Sequence, residues 1–562
     1  MQKIKDSVKL KKWSDTMLKD YKNDLVNEFK GYNLVSLKRD LMAGITVTAV
    51  ALPLALAFGV SCGATAAAGL ITAIIGGLVI GALSGASFQI SGPTGAMSAI
   101  LLLLFQKYGL NGVWIAGAIA GIILIIAGIF KFGKIVSYIP SPVVTGFTSG
   151  IALIIAIGQL DNFFGVSTKG AESAAGKVIG FLQGPLNPNW YAVLLGGLVV
   201  ITMIVWPKKW NAIVPSSLVG LIIALGINLI FKFPVEVIGN IPKTLFLDDR
   251  LTIGAINLET IKGLIVPSIS IAALAMIESL LCGEVGKKMK GEKFDSNREL
   301  IAQGVGNLII PFFGGVPATA AIARTSVAIK SGGKTRLVSV FHAMFLLVSM
   351  FILAPIMSKI PLAGLAGVLM VTAWRMNEWE NIKYMFSKKF KSAISKFLIT
   401  MIATVMFDLT QAILIGVIFS SLLFIVKISN MDISINEVDQ DRLSDDIDLN
   451  KNLSNVKVAY FTGPLFFATV EKFKTELSEI KDNTVLILSM RGVPLIDTSG
   501  IQALEELRYD LEKRNCNLML CGLQPQVKKI ISRSGIYDKI GKNMIFWSAD
   551  QAIVAADKFK TA

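Results

Sequence analysis

The sequence predicts an α-helical polytopic membrane protein with 14 spans, built as two inverted repeats of seven and followed by a small cytoplasmic α/β domain. Three observations predict this fold class. The 562-residue chain is 53% hydrophobic, which is far more apolar than a soluble protein of that size. Apolar stretches of membrane length recur between residues 41 and 428. After about Asn430 the composition becomes that of an ordinary soluble domain.

The spans are predicted from length and apolarity. A transmembrane helix needs about 20 apolar residues. The candidate spans are 41–60, 64–83, 87–105, 112–130, 136–158, 190–206, 211–231, 262–283, 299–313, 316–331, 337–356, 361–375, 395–411 and 412–428. They divide into a repeat at about 41–231 and a second at about 262–428. Because each repeat has an odd number of spans, the two repeats should have opposite orientations in the membrane.

The distribution of basic residues predicts that both termini are cytoplasmic. The N-terminal segment 1–40 is rich in lysine, and loops after even-numbered spans carry basic residues such as Lys208, Lys287 and Lys388. Cytoplasmic loops are enriched in Lys and Arg, so this pattern indicates a multi-pass protein of the cell membrane. These loops also account for much of the net charge of +16. We find no basic stripe with interleaved aromatic residues, the pattern that indicates a nucleic-acid partner.

The sequence predicts no cofactor, no metal and no catalytic centre. Its four cysteines are scattered, and its one histidine, His342, lies in an apolar span, where we expect a packed residue rather than a ligand. We find no nucleotide-binding glycine-rich loop and no nucleophile–base set. The chain is therefore predicted not to be an enzyme or an ATP-driven pump.

Two apolar runs are broken by glycine and proline, one in the third span and one in the tenth. The breaks read SGASFQISGPTGAMSAI from Ser84 and FFGGVPATAAIARTSVAI from Phe312, and each leads directly into a helix. Irregular backbone at membrane depth is tolerated only where protein or a wet cavity surrounds it. A helix that begins there presents unpaired N–H groups and the positive end of its dipole. Two such half-helices in equivalent positions predict an anion site near the midplane.

Four residues supply the chemistry at this predicted site. Thr94 offers a hydroxyl, and Gly95 lets an ion approach the backbone. Arg324 is costly within a span and is predicted to shape the field of the site; the alternative is that it reaches back to the cytoplasmic interface. Glu278, in an otherwise uncharged span, is predicted to carry a coupling proton; the alternative is a structural ion pair with Arg324. Each break could also be no more than a kinked span packed on small residues.

Five motifs in order resemble the SulP sulfate-permease family, also called solute carrier family 26. They are ALPLALAFG (51–59), QISGPTGAM (89–97), AMIESLL (275–281), SNRELIAQGVGNLI (296–309) and GGVPATAAIARTSVAIKSGGKTRL (314–337). The resemblance implies seven-plus-seven inverted repeats shared with nucleobase permeases, a core domain that moves against a gate domain, and a homodimer.

The resemblance also implies the site residues. The anion of that family lies between the third and tenth spans, and the matching positions here are Phe58, Thr94, Gly95, Glu278, Ala321, Ala323 and Arg324. Two departures matter. Leu54 stands where many members have a glutamine, so one polar contact to substrate is missing. Cys282 stands where sodium-coupled members have a threonine, and because sodium prefers oxygen ligands, a proton is the expected coupling ion.

The C-terminal region 453–562 resembles the STAS domain, and residues 429–452 are predicted to be a linker. Strands are predicted at 456–460, 484–489 and 518–521, and amphipathic helices at 471–480 and 500–514. In the anti-sigma-factor antagonists that share this domain, the residue after a matching aspartate is phosphorylated. The match here is Thr498, after Asp497; the plainer reading of Thr498 and Ser499 is that they cap a helix.

Together these features predict a secondary active transporter of small anions that works by alternating access and is coupled to protons. Sulfate is the first substrate expected, with bicarbonate or a C4-dicarboxylate such as fumarate as alternatives. An anion channel or a membrane-anchored regulatory scaffold are alternatives from other classes.

Overall fold

The structure is a computed structural model that describes residues 19, 21–168, 174–183, 187–211, 214–255, 258–407, 409–438, 453 and 455–559. It divides into two compact units, Met1–Val417 and Ile418–Ala562. Asp408, predicted to lie at a membrane interface, and the acidic stretch 439–448, predicted to be linker, fall outside the described residues.

Residues 21–28 are helical, and the helices that follow along the chain up to the soluble region are of very different lengths. They are α1 (Leu34–Ser61), α2 (Ala66–Ile75), α3 (Gly81–Leu83), α4 (Gly95–Ile129), α5 (Ser141–Gly158), α6 (Leu160–Phe164), α7 (Ala174–Gln183), α8 (Trp190–Val205), α9 (Lys208–Asn211), α10 (Ser216–Phe231), α11 (Leu258–Lys290), α12 (Ser296–Ile309), α13 (Ile322–Lys330), α14 (Leu337–Met357), α15 (Leu362–Met376), α16 (Trp379–Ser387), α17 (Lys391–Met406) and α18 (Leu409–Ile428). A π-helical turn, Gly76–Ile80, joins α2 to α3. Two short strands, β1 (Ser91–Gly92) and β2 (Thr319–Ala320), interrupt the helical pattern.

Seven of the helical segments in the described ranges are long and apolar enough to cross a membrane, and three shorter apolar helices accompany them. Every predicted span overlaps a helix, but the number of crossings stays a prediction. The predicted third and fourth spans form one segment, α4, with non-helical backbone at Gly109. Gly109 has φ +66°, a left-handed conformation that favours glycine, so the chain can bend there without steric strain.

Close helix packing in this unit depends on small residues. A Cβ placed on Gly121 of α4 would lie 2.6 Å from the carbonyl oxygen of Gly304 on α12, and a Cβ on Gly304 would lie 2.6 Å from the carbonyl oxygen of Gly121. The two backbones therefore touch, as is typical of helices that associate within membranes. This contact seats α12 directly against the helix that follows β1.

The second unit contains a five-stranded sheet in the order β3-β4-β5-β6-β7, with an antiparallel β3–β4 pair and parallel pairs thereafter. Its strands are β3 (Asp432–Glu437), β4 (Val456–Thr462), β5 (Val485–Gly492), β6 (Asn517–Cys521) and β7 (Ile545–Phe546). Its helices are α19 (Val470–Ser478), α20 (Thr498–Lys513), α21 (Pro525–Arg533), α22 (Ile536–Ile540) and α23 (Ala549–Phe559).

The predicted strands and helices of this unit are confirmed in type and approximate position, with one correction. Residues 432–437 were assigned to the linker 429–452, but they form the edge strand β3. Their side chains alternate, with Ile433 and Ile435 partly buried against the core of the sheet. A strand this short, with polar residues on its other face, is difficult to predict from sequence. Residues 432–437 are extended because they pair with β4.

Candidate functional site

The two broken segments meet in the structure. β1 and β2 pair in antiparallel fashion, with Ser91 opposite Ala320 and Gly92 opposite Thr319. Helix α4 begins three residues after β1, and helix α13 begins two residues after β2. The pairing therefore brings together the two N-terminal helix ends predicted to face each other. It also provides hydrogen-bond partners for part of the extended backbone, whose N–H and C=O groups would be costly to bury unpaired.

Polar side chains on α12 complete the hydrogen bonding of these segments. Asn307 accepts from the Ala318 amide at 2.7 Å and donates to the Ala318 carbonyl at 2.9 Å. Gln303 donates to Ser91 Oγ and to Glu299, both at 2.8 Å. All three α12 side chains are fully buried, and they lie on one face because they are four residues apart. The helix thus carries a polar ladder that bonds to Ser91 of β1 and to Ala318, the residue before β2.

Glu278 joins the two segments from α11. Its Oε2 accepts from the Thr94 hydroxyl at 2.8 Å and from the Thr319 hydroxyl at 3.1 Å. Thr94 is also the N-cap residue of α4, where its Oγ1 accepts from the Met97 amide at 3.4 Å. One carboxylate therefore touches a hydroxyl from each half of the predicted site, and Glu278 itself is only partly buried.

Arg324 lies in the first turn of α13 and is 2% exposed, so it does not extend to the interface. Its Nη2 donates to the Pro93 carbonyl at 2.8 Å, which ties α13 to the segment that precedes α4. Its Nη1 is buried and has no hydrogen-bond partner. Among the described residues no ion pair joins Glu278 to Arg324: the Glu278 carboxylate accepts from Thr94 and Thr319, and Arg324 Nη2 donates to the Pro93 carbonyl.

The start of α13 is open. Its N-cap residue is Ala321, which makes no side-chain cap, and Ala323 is exposed. The Ala321 amide is used, because it donates to Ile90 O at 3.0 Å. The amides of residues 322–324 lie in the first turn, where a helix provides no backbone partner, and this geometry suits an anion.

The other helix start is packed more tightly. A Cβ on Gly95 would lie 3.1 Å from Phe58 Cε1 and 2.5 Å from Ile155 Cδ1, so both side chains lie against this glycine. Met376 Sδ is 3.5 Å from the same position. Phe58 and Gly95 were predicted to be neighbours at the site; Ile155 and Met376, on α5 and α15, were not anticipated. Only the packing of helices distant in sequence places them there.

The sequence reasoning missed the supporting residues Thr319, Glu299, Gln303 and Asn307. Polar residues at intervals of four within an otherwise apolar span were a usable signal, because that spacing puts them on one helix face. Cys282 does not face Glu278 through its thiol, since its Sγ donates to Thr325 Oγ1 at 3.2 Å. His342 is fully buried, and its Nδ1 lies 3.1 Å from Thr48 Oγ1, as expected of a packed residue.

In the second unit, the start of α20 differs in detail from the plainer reading of the sequence. Asp497 is the N-cap residue, and its side chain accepts from the Gly500 amide at 2.8 Å. It also accepts from the Phe467 amide at 3.1 Å. Thr498 is the first residue of the helix and is exposed, so its hydroxyl is not needed as the cap.

Comparisons with known proteins agree with this architecture. Residues 37–403 match the sulfate permease family, and residues 449–552 match the STAS domain. The chain is 35% identical to the "Putative sulfate transporter YvdB" of Bacillus subtilis over 93% of this chain and 98% of that protein. It is 28% identical to the "Bicarbonate transporter BicA" of Picosynechococcus sp. over 92% of this chain and 94% of that protein.

Solved structures share the fold. The murine Slc26a9 anion transporter in the inward-facing state superposes with a TM-score of 0.81, at 20% identity, over 92% of this chain and 91% of that chain. The transmembrane domain of a cyanobacterial bicarbonate transporter BicA superposes with a TM-score of 0.62, at 28% identity, over 69% of this chain and 98% of that chain. The chain therefore belongs to the sulfate permease family of multi-pass anion transporters, which are not enzymes, and carries a C-terminal STAS domain.

Proposed function

We propose that this protein is a proton-coupled secondary transporter of a small oxyanion, with sulfate as the first candidate, and that it works by alternating access. The observation that carries the proposal is the β1–β2 pairing, which brings two helix N-termini together beside Arg324. Such ends favour anions because their N–H groups and dipoles point at the ligand. Phe58, Thr94, Gly95, Ala321, Ala323 and Arg324 form the proposed substrate site.

Glu278 is the proposed proton carrier. Its carboxylate bonds to a hydroxyl from each broken segment, so a change in its charge acts on both halves of the site at once. We rank sodium below a proton as the coupling ion, because Cys282 offers a soft sulfur where a hydroxyl oxygen would suit sodium, and its thiol is hydrogen-bonded to Thr325 Oγ1.

The choice of substrate rests on chemistry and on relatives. The site offers one buried guanidinium and helix-end amides, a set that suits sulfate, bicarbonate or a dicarboxylate such as fumarate. A 35% identical relative is named a putative sulfate transporter, and a 28% identical one is named a bicarbonate transporter. We therefore rank sulfate first and bicarbonate second, with fumarate as the third candidate.

The test is uptake into proteoliposomes that contain the full chain. Labelled sulfate, bicarbonate and fumarate are each offered with and without a pH gradient, at a membrane potential held at zero. Saturable uptake of one anion, raised by external acid, supports the proposal. No uptake of any of them would overturn it, and conductance far above carrier turnover would indicate a channel instead.

Four further features belong to the same proposal. The transport domain spans about 41–428 in fourteen crossings, both termini are cytoplasmic in the cell membrane, and the protein is a homodimer. The exposed Thr498, at the start of α20, is the proposed phosphorylation site, because a phosphate is stabilised at a helix N-terminus. Accessibility labelling of single cysteines, cross-linking and phosphoprotein mass spectrometry test these points separately.

A further inference from the structure

We propose that Glu28, which precedes α1, and Asp40, in the second turn of α1, are positioning residues that hold the half-helix α13 at the anion site. They act through the loop Lys334–Arg336, which follows α13. This inference rests on the proposed function of that site. We call Glu28, Asp40 and this loop the N-terminal clamp.

The first contact of the clamp is made by Glu28. Its Oε1 accepts from the Arg336 amide at 2.6 Å, and its Oε2 accepts from Arg336 Nε at 2.9 Å and Nη2 at 2.8 Å. Glu28 and Arg336 are 9% and 6% exposed. Screening by salt is weak for a pair this well shielded, and the paired guanidinium nitrogens restrict its geometry.

The second contact is made by Asp40, which is fully buried. Its Oδ1 accepts from the Lys334 amide at 2.5 Å, and its Oδ2 accepts from the Thr335 hydroxyl at 2.6 Å. Tyr32 donates to the same Oδ2 at 2.9 Å. Glu28 and Asp40 therefore form hydrogen bonds with three consecutive residues, 334–336, that are 294 to 308 positions away in the chain.

A third set of contacts ties the clamp to the segment that leads into β1. Arg336 Nη1 donates to the Ala82 carbonyl at 2.7 Å, and the Tyr21 hydroxyl donates to the same oxygen at 2.8 Å. The guanidinium carbons of Arg336 and Arg298 each lie 5.4 Å from the centre of the Tyr21 ring. Cation–π contacts on one ring thus join elements that flank both broken segments.

The link to the anion site follows from the length of α13. This helix has nine residues, from Ile322 to Lys330, and is about 13 Å long, so a displacement of its end would be passed along the axis to its start. Its start carries Arg324, and its end is separated from Thr335 by a short glycine-containing turn. Loosening the loop would let the helix shift along its axis, and its amide tip would move relative to Thr94.

The experiment measures uptake against anion concentration for Glu28→Gln, Glu28→Asp and the control Glu284→Gln. The anion is whichever of sulfate, bicarbonate or fumarate the wild type transports. Glu284 is a suitable control because it is half-exposed on α11 and, among the residues that the structure describes, forms an ion pair only with Lys287 of the same helix. We expect Glu28→Gln to raise KM roughly 3- to 30-fold with kcat nearly unchanged. Glu28→Asp should recover part of the loss, and Glu284→Gln should match the wild type.

A purely structural role would lower the amount of folded protein and leave KM unchanged. Hydrogen exchange of the peptide that covers 322–336 is measured alongside, and we expect faster exchange in Glu28→Gln. Where that variant fails to fold, Arg336→Lys is used instead. It keeps the positive charge but loses the two guanidinium nitrogens that donate together to Glu28, and the same rise in KM is expected. An unchanged KM in a folded variant would overturn the clamp, whereas a wild type that moves no anion would overturn the proposed function.

Discussion

Replacing Glu278 with glutamine tests proton coupling separately from anion binding, because it removes the titratable group and keeps the shape of the side chain. Glutamine has nearly the shape of the protonated acid and keeps an oxygen that can accept from Thr94 and Thr319, the two hydroxyls that Glu278 Oε2 binds at 2.8 and 3.1 Å. We expect downhill anion exchange to continue, because the site stays assembled. We expect accumulation driven by a pH gradient to be lost, because the side chain at this position no longer takes up or releases a proton.

The expected accumulation ratio follows from the single carboxylate, Glu278, that is proposed to carry one proton with each anion. One proton per anion, at zero membrane potential, lets a gradient of one pH unit supply about 1.4 kcal/mol, which sustains about tenfold accumulation. The wild type should therefore reach a ratio near ten, and Glu278→Gln a ratio near one. Stability should fall by no more than about 2 kcal/mol, because two charge-assisted hydrogen bonds become neutral ones.

The assay is the steady-state ratio of internal to external labelled anion in proteoliposomes, with the external solution one pH unit more acidic. Glu284→Gln is the matched control, since it removes a carboxylate from an exposed position of the same helix. Thermal unfolding in detergent verifies that both variants are folded. Tenfold accumulation by folded Glu278→Gln would refute the assignment of proton coupling to this residue.

Three more outcomes are expected. In Gly92→Ala the new methyl would lie 2.5 Å from Nη1 of Arg324, so that guanidinium must move and saturable uptake should be lost with little change in melting temperature. Asn307→Ala leaves the amide and carbonyl of Ala318 unpaired, and we expect a loss of about 2–5 kcal/mol, seen as a lower melting temperature; an unchanged melting temperature would contradict the role of the polar ladder. Burial raises the pKa of Tyr32 to about 12, so its contribution to stability is complete below pH 10 and is lost as the pH rises through 12; an ultraviolet difference titration against Tyr32→Phe should place the phenol near 12, and a value near 10 would contradict this packing.

Much of the candidate site could be predicted because its chemistry is local in sequence. Gly92 and Pro93, followed directly by Thr94 and Gly95, indicate a break in an apolar run, and Arg324 within a span requires an explanation in any fold. Glu278 stood out for the same reason. A further signal was the position of the two breaks, which lie in the third and tenth predicted spans and therefore at equivalent places in the two repeats.

The partners of these groups could not be predicted, because they depend on packing between distant elements. Whether Glu278 pairs with Arg324 or with Thr94 and Thr319 depends on how their separate helices pack together, which no one of these segments specifies. The same is true of Asn307, whose amide matches the Ala318 backbone only when α12 lies beside β2. Apolar contacts such as Ile155 against Gly95 carry no sequence signal, because any helix face could have supplied them.

By itself the sequence determined the membrane class, the sites of both chain breaks and the α/β nature of the C-terminal domain. Apolar length, the backbone demands of glycine and proline, and period-two or period-four patterning are properties of short segments. Tertiary structure alone decided that β1 pairs with β2, that Glu278 bonds to both halves, and that Glu28 grips Arg336 across the chain. The physical reason is that hydrogen bonds require their two partners within about 3 Å, and only the packed helices bring residues hundreds of positions apart to that distance.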